Sequence, residues 1–232
     1  MISRLLQSLT GLLYPNLCAV CGTPLVVGEE VLCTGCNYHI PKTRNWHEPN
    51  NPIAKVFWGR VYLQHACAFV YFRKGSRYQK LLHKLKYAGR KDIGRYLGRQ
   101  FGQELVSVRP FNDLFAIIPV PLHPKKQKKR GYNQSEWISL GLSDSLHLPV
   151  ITNLLKRAVY TETQTHKGRM ERWENVSDVF DIDLQPNIPE GSHLLLVDDV
   201  VTTGATLEAC ARQLIEKGNF RVSIATIAFA SQ

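Results

Sequence analysis

The stretch His193-Leu194-Leu195-Leu196-Val197-Asp198-Asp199-Val200-Val201-Thr202-Thr203-Gly204-Ala205-Thr206 decides how this chain folds. Leu194, Leu195, Leu196 and Val197 form a short continuous apolar run, the pattern of a parallel strand covered on both faces. Asp198 and Asp199 stop the run at the strand's C-terminal end, where open α/β sheets place their ligands. Thr202, Thr203 and Gly204 follow with hydroxyls and closely approachable amides. They lead into a helix whose N-terminus suits a bound phosphate. Leu207, Cys210, Ala211, Leu214 and Ile215 recur at helical spacing and give that helix one buried face, and Gly218 is placed to end it. Two adjacent carboxylates are costly to keep together without a cation or hydroxyl donors beside them. An ordinary strand-turn-helix unit with surface aspartates therefore accounts poorly for the pair.

Outward from this stretch, strand-like and helix-like segments alternate, the pattern of an α/β fold with a mostly parallel sheet. Residues 66–72, 114–118, 150–159, 179–182 and 220–229 read as strands. Cys67, inside the first, reads as a small buried apolar residue. Tyr78, Leu81, Leu82 and Leu85 make a helical stripe, with His83, Lys84 and Lys86 expected to face solvent. A second helix is expected from Asp92, its N-cap, through Ile93, Leu97, Phe101 and Leu105. A third covers residues 135–146. Pro119, Pro121 and Pro124 take the chain out of the sheet after Ile118, because prolines cannot continue a central strand.

The formal net charge is +10, and it is unevenly spread. From Arg73 to Arg99 there are ten Lys or Arg against the single Asp92. Lys125, Lys126, Lys128, Lys129 and Arg130 add five within six residues. The second cluster follows a strand's C-terminal end and so lies on the ligand side of the sheet. A localised basic surface points to a polyanion: nucleic acid, a nucleotide or a pyrophosphate ester.

The first fifty residues differ from the rest. Cys18-Ala19-Val20-Cys21 and Cys33-Thr34-Gly35-Cys36 are C-x-x-C pairs separated by eleven residues. Each pair forms a knuckle that aims two thiolates at one point, and two knuckles complete a tetrahedral site suited to Zn²⁺. Two disulfides are the competing reading, disfavoured in a reducing compartment. Gly22 and Gly35 allow tight turns beside the sulfurs. Four protein ligands leave no open position, so the zinc is expected to be structural, supplying folding free energy to a segment too small for its own core. His39 and His47 are read as non-ligands. Residues 45–52 read as a polar, proline-containing linker. The expected division is a zinc module over 1–52 and a larger domain over 53–232. No apolar run reaches the roughly 18 residues of a membrane helix, and the first seventeen residues lack a strong signal-peptide core. This points to a cytoplasmic protein with reduced thiols, at most peripheral to the inner face of the membrane.

Residues 160–176 are long and polar, and read as a mobile flap. They contain Thr163-Gln164-Thr165-His166-Lys167-Gly168-Arg169, then Arg172 and Asn175. Taken with LLLVDDVVTTGAT, with Lys129-Arg130-Gly131-Tyr132-Asn133-Gln134 and with the paired C-x-x-C motifs, they give the chain a combination that resembles the ComF family of competence-associated proteins. The run LLLVDDVVTTGAT by itself resembles the phosphoribosyl pyrophosphate (PRPP) signature of type I phosphoribosyltransferases. His166 stands where relatives more often have leucine after the Gln-Thr pair.

The resemblance implies a type I phosphoribosyltransferase fold preceded by a zinc module, and a part in natural transformation through handling of incoming single-stranded DNA with the DNA-uptake machinery. It implies that PRPP is held by Val200, Thr202, Thr203, Gly204, Ala205 and Thr206, with the 5′-phosphate on the amides and hydroxyls from Thr202 to Thr206. Lys125, Lys129 and Arg130 would meet the pyrophosphate. Asp198 and Asp199 would act on the ribose hydroxyls, directly or through Mg²⁺, and Gln164, Lys167, Arg169 and Arg172 would close over the ligand. Transfer to an acceptor is the leading expectation. The alternative is a non-catalytic protein that uses the pocket to sense a ligand or to grip nucleic-acid phosphate. With 26 residues after Thr206, the zinc module and residues up to about 70 are expected to form the hood over the site or a partner surface.

Overall fold

A computed structural model of the chain describes residues 15–157, 179–183 and 187–230. Four parallel strands form its sheet. They are β1 (His65–Tyr71), β2 (Leu114–Pro119), β5 (His193–Val201) and β6 (Arg221–Phe229), in the spatial order β1-β6-β5-β2. The aliphatic run of β5 is thus flanked by strands on both sides, and Leu194, Leu195, Leu196 and Val197 are fully buried. Successive side chains alternate between two cores. Leu195 and Val197 join Cys67, Phe69, Ile117 and Ile227 on one face. Leu194 and Leu196 join Ala66, Ala68, Ile118 and Ile224 on the other. This period of two is what a strand buried on both faces requires.

Helices α3 (Gln79–Tyr87), α4 (Lys91–Leu105) and α6 (Gln134–Leu146) cover the first face, and α7 (Ala205–Glu216) covers the second. Helices α4 and α6 cross through glycine: a Cβ on Gly98 or Gly141 would collide with the Ile138 or Arg95 carbonyl oxygen of the opposite helix. Two short helices precede the sheet, α1 (Thr34–Tyr38) and α2 (Pro52–Lys55). A short antiparallel pair, β3 (Leu155–Arg157) with β4 (Phe180–Ile182), stands apart from the main sheet.

Several local expectations change. Strand β5 runs through the two aspartates to Val201, because Asp198 and Val200 stay in register with Thr226 and Ala228 of β6. Asp92 does not cap α4; Arg90 does, and Asp92 forms an ion pair with it in the first turn. Within the described part of the expected strand over 150–159 lie β3 and one parallel bridge from Val150 to Ile117, and residues 158–159 lie outside the described residues. Helix α7 is ended by Asn219, which adopts the left-handed φ of 51°. The Lys125 to Arg130 cluster forms helix α5 (Pro124–Arg130), closed by Gly131 at φ 80°. Residues 45–52 are no solvated linker: Trp46 is buried against Phe69 and Phe101. Asn51 is buried too, donating to the Ala66 carbonyl at 2.8 Å while capping α2.

Among the described residues, no helix is long and apolar enough to cross a membrane. The two cysteine knuckles share the core of α3 and α4. Cys18, Val31, Leu32 and Cys36 belong to the same buried cluster as Leu81, Leu85 and Phe101.

Candidate functional site

The end of β5, the start of α6 and the end of α3 converge on the two carboxylates. Asn133 caps α6 through its Oδ1 and donates from Nδ2 to the Val120 carbonyl, 3.0 Å away, so the helix start is tied to the chain leaving β2. That fixes Ser135, whose hydroxyl donates to Asp198 Oδ1 at 2.9 Å. The Asp199 amide donates to the same oxygen at 2.8 Å. Lys86, at the end of α3, puts Nζ 3.0 Å from Asp199 Oδ2. Burial and then the neighbouring Asp199 carboxylate push the Asp198 carboxyl up to about 7, against the opposing pull of the Asp199 amide and the Ser135 hydroxyl. Two close carboxylates with one ammonium hold a local negative excess, which fits a divalent cation bound by hard oxygen ligands.

Downstream, Thr202 and Thr203 are exposed, and Gly204 caps α7 with a φ of 75°. A Cβ there would lie 2.8 Å from Val56 and 2.9 Å from Phe57, so glycine is required both by conformation and by close packing. The segment after α2 therefore leans on the turn. Arg60 extends this contact, donating to the Thr203 carbonyl at 2.7 Å and pairing with Glu208 on α7. The open amides of the turn, at the positive end of a twelve-residue helix, can receive a phosphate.

Beside Asp199 lies a cavity of about 350 Å³ lined by Lys86, Tyr87, Gly89, Lys126, Lys129 and Arg130. Lys129 and Arg130 line this cavity, and Lys86 links it to Asp199. Lys125 is exposed near the opposite end of α5 and does not line the cavity. Tyr132 is buried and donates to the Leu85 carbonyl, joining α5 and α6 to α3. Gln164, Lys167, Arg169 and Arg172 lie outside the described residues.

Sequence reasoning misses Lys86 and Ser135. Lys86 does not simply face solvent: it falls four residues after buried Leu82, on the flank of the apolar stripe. Its helical position carries the signal that its residue type hides. Ser135 offers no such signal, since its partner lies sixty-three positions away.

The four knuckle cysteines bring their sulfurs within 4.8 Å of one another. Cys21 and Cys33 Sγ lie 3.7 Å apart, close to the roughly 3.8 Å edge of a tetrahedron with metal–sulfur bonds of about 2.3 Å. The Cys33 amide is 3.4 Å from Cys18 Sγ and the Cys36 amide 3.5 Å from Cys33 Sγ, the backbone pattern of a knuckle. These residues fit a zinc ion. All six cysteines are free, and His39 is turned away to the Gly35 carbonyl at 2.7 Å.

The phosphoribosyl transferase domain profile matches residues 106–232, more than half of the chain. The chain belongs to that family. Among curated relatives, Competence protein F of Haemophilus influenzae is 39% identical over 103 residues, 44% of this chain and 45% of the relative. DNA utilization protein YhgH of Escherichia coli K12 is 27% identical over 235 residues, 92% of this chain and 96% of the relative. Competence protein ComFC of Bacillus subtilis is 27% identical over 213 residues, 92% of this chain and 75% of the relative. With the transferase profile, these relatives bear out the ComF assignment expected from the sequence. Among solved structures, the chain is similar to adenine phosphoribosyltransferase from Saccharomyces cerevisiae, with 16% identity and a TM-score of 0.39 over 60% of this chain and 69% of that one.

Proposed function

We propose that this chain binds PRPP with Mg²⁺ and transfers its phosphoribosyl group, serving the handling of incoming DNA in natural transformation. Residues 1–52 would be its zinc module and 53–232 its transferase-like domain. The observation that carries the reading is the carboxylate pair near the end of a central parallel strand, two strand residues before the glycine-capped turn of α7 and linked through Lys86 to a cation-lined cavity.

Each group then has a task. The amides and hydroxyls from Thr202 to Thr206 receive the 5′-phosphate, with Val200 and Ala205 shaping the turn. Asp198 and Asp199 hold the ribose hydroxyls and favour the positive charge that develops on the ring as the bond from C1 to pyrophosphate breaks. Ser135 and the Asp199 amide fix the Asp198 carboxylate so that it need not reorganise during the reaction. Lys129 and Arg130 stabilise the departing pyrophosphate. Asp198 and Asp199 would hold Mg²⁺, which would supply positive charge to offset the pyrophosphate. Gln164, Lys167, Arg169 and Arg172 are proposed to close over the ligand.

Calorimetry with PRPP, with and without Mg²⁺, tests this on wild type, Asp198→Asn and Asp199→Asn. Wild type binds only with Mg²⁺, and each variant loses about tenfold or more, the scale of one charge-assisted hydrogen bond. Pyrophosphate release is then followed with bases, amines and single-stranded DNA as acceptors. Absence of PRPP binding by wild type removes the proposal. Binding with no release under any acceptor favours the second reading, a sensor or phosphate-gripping protein. That reading draws on the five cations of α5, none of which pairs with a carboxylate among the described residues. Steep loss of DNA binding with salt would mark it.

A further inference from the structure

Lys86 faces two ways. Its ammonium lies 3.0 Å from Asp199 Oδ2, and the residue also lines the cavity shared with Lys126, Lys129 and Arg130. The Asp199 side chain is 7% exposed, so its charge depends on a cation held nearby. Of the four cations around the cavity, Lys86 is the one whose charge a protein carboxylate neutralises among the described residues. The helix beneath it is anchored on its other side. Tyr78 donates to the Cys36 carbonyl at 2.8 Å and Lys84 to the Ala19 carbonyl at 2.9 Å, both in the cysteine knuckles. The backbone of Lys86 is thereby fixed, and its flexible four-carbon stem supplies the reach.

We propose that Lys86 is an exchange residue. With no ligand in the pocket it neutralises Asp199. When a pyrophosphate-bearing ligand arrives with a divalent cation, Lys86 leaves Asp199 for a phosphoryl oxygen in the cavity, and the dication supplies the charge that Asp199 requires. The inference rests on the reading of the site given above and adds a ligand-gripping residue to it. The reason is Coulombic. An ammonium and a dication beside one carboxylate repel each other, so without an anion they compete for Asp199. An anion in the cavity gives Lys86 a second partner and turns competition into assistance.

The test uses the full chain with its zinc loaded and two probes, Mn²⁺ alone by paramagnetic resonance and inorganic pyrophosphate alone by calorimetry. Lys86→Met is expected to bind Mn²⁺ about tenfold tighter and pyrophosphate about tenfold weaker, the size of one charge-assisted hydrogen bond made or broken. Asp199→Asn, which frees Lys86, is expected to reverse both signs. Lys86→Arg should stay near wild type. A merely structural role for Lys86 lowers both affinities together, so a change of one sign in both, or no change in either, overturns the proposal. Should Lys86→Met fail to fold, by circular dichroism and zinc content, Asp199→Asn decides alone: pyrophosphate bound no tighter than by wild type overturns it. If the two probes behave as expected while PRPP does not bind, the phosphoribosyl reading falls and the exchange stands. If PRPP binds and the probes do not split, the exchange falls.

Discussion

Asp198 shows how one side chain can register the state of the site. Its carboxyl is pushed up to about 7 by burial and by Asp199, above the roughly 3.9 of an unfolded chain. The folded protein therefore binds this proton more tightly, and the stabilisation is complete below about pH 4 and lost as pH rises through about 7. His193 acts in the opposite sense. Burial lowers its pKa despite the Asp113 carboxylate 2.7 Å away, so its contribution is present above about 6.5 and is lost as pH falls through the lowered value. Thermal melts from pH 4 to 8 without added divalent cation should accordingly give a wild-type minus Asp198→Asn difference that declines with rising pH. A flat difference would show that Asp198 is an ordinary carboxylate. Added Mg²⁺ should flatten the decline by supplying the missing countercharge. At Gly204, alanine must adopt a φ of 75° and meet Val56 and Phe57. Gly204→Ala should cost about 1–3 kcal/mol in denaturant unfolding and weaken phosphate binding at the turn.

At the scale of elements, α4 and α6 cross with their backbones in close approach at Gly98 and Gly141. Because the obstacles at Gly98 and Gly141 are backbone carbonyls rather than side-chain ends, they cannot rotate aside. Gly141→Ala should destabilise by about 1–3 kcal/mol or more in urea unfolding, with Ser135 displaced and the Asp198 hydrogen bond weakened. Asn133→Ala, which removes the α6 cap, should cost about 1 kcal/mol. The strands were legible because runs such as Leu194, Leu195, Leu196, Val197 and Ala116, Ile117, Ile118 are apolar on both faces. Helix α5 was not, since a helix polar all round shows no periodicity. Its punctuation was nonetheless present: Pro124 at the first turn and Gly131 in the left-handed cap are the usual signals of start and stop. The segment around Trp46 hides its burial for a different reason. Its partner Phe101 lies far away in sequence, and no local pattern reports such a contact.

At the scale of the whole molecule, the knuckles and the sheet's helical cover share one core. Cys18 and Cys36 are buried with Leu81, Leu85 and Phe101, so metal loss should be felt throughout. Cys36→Ser is expected to lower the melting temperature in a single cooperative transition and to abolish the one equivalent of zinc expected in wild type. A separate early transition, with the remainder melting as before, would show that the module folds independently. Zinc content near zero in freshly purified reduced wild type would remove the metal assignment. The site itself was half legible. The carboxylates and the glycine-capped turn lie together in sequence, whereas Lys86, Ser135 and Arg60 reach them only through tertiary structure.

Helix α3 touches the knuckles through Tyr78 and Lys84 and the carboxylates through Lys86, all within ten residues. That sets a rule for exchanging parts between relatives. A hybrid that imports residues 15–47 from another protein but keeps its own residues 78–86 must present those two backbone carbonyls in the same places to anchor the helix that carries the lysine. Crossover points that carry both segments from the same parent should yield hybrids with intact pyrophosphate binding. Points that separate them should yield proteins that hold zinc yet have lost their grip on the anion.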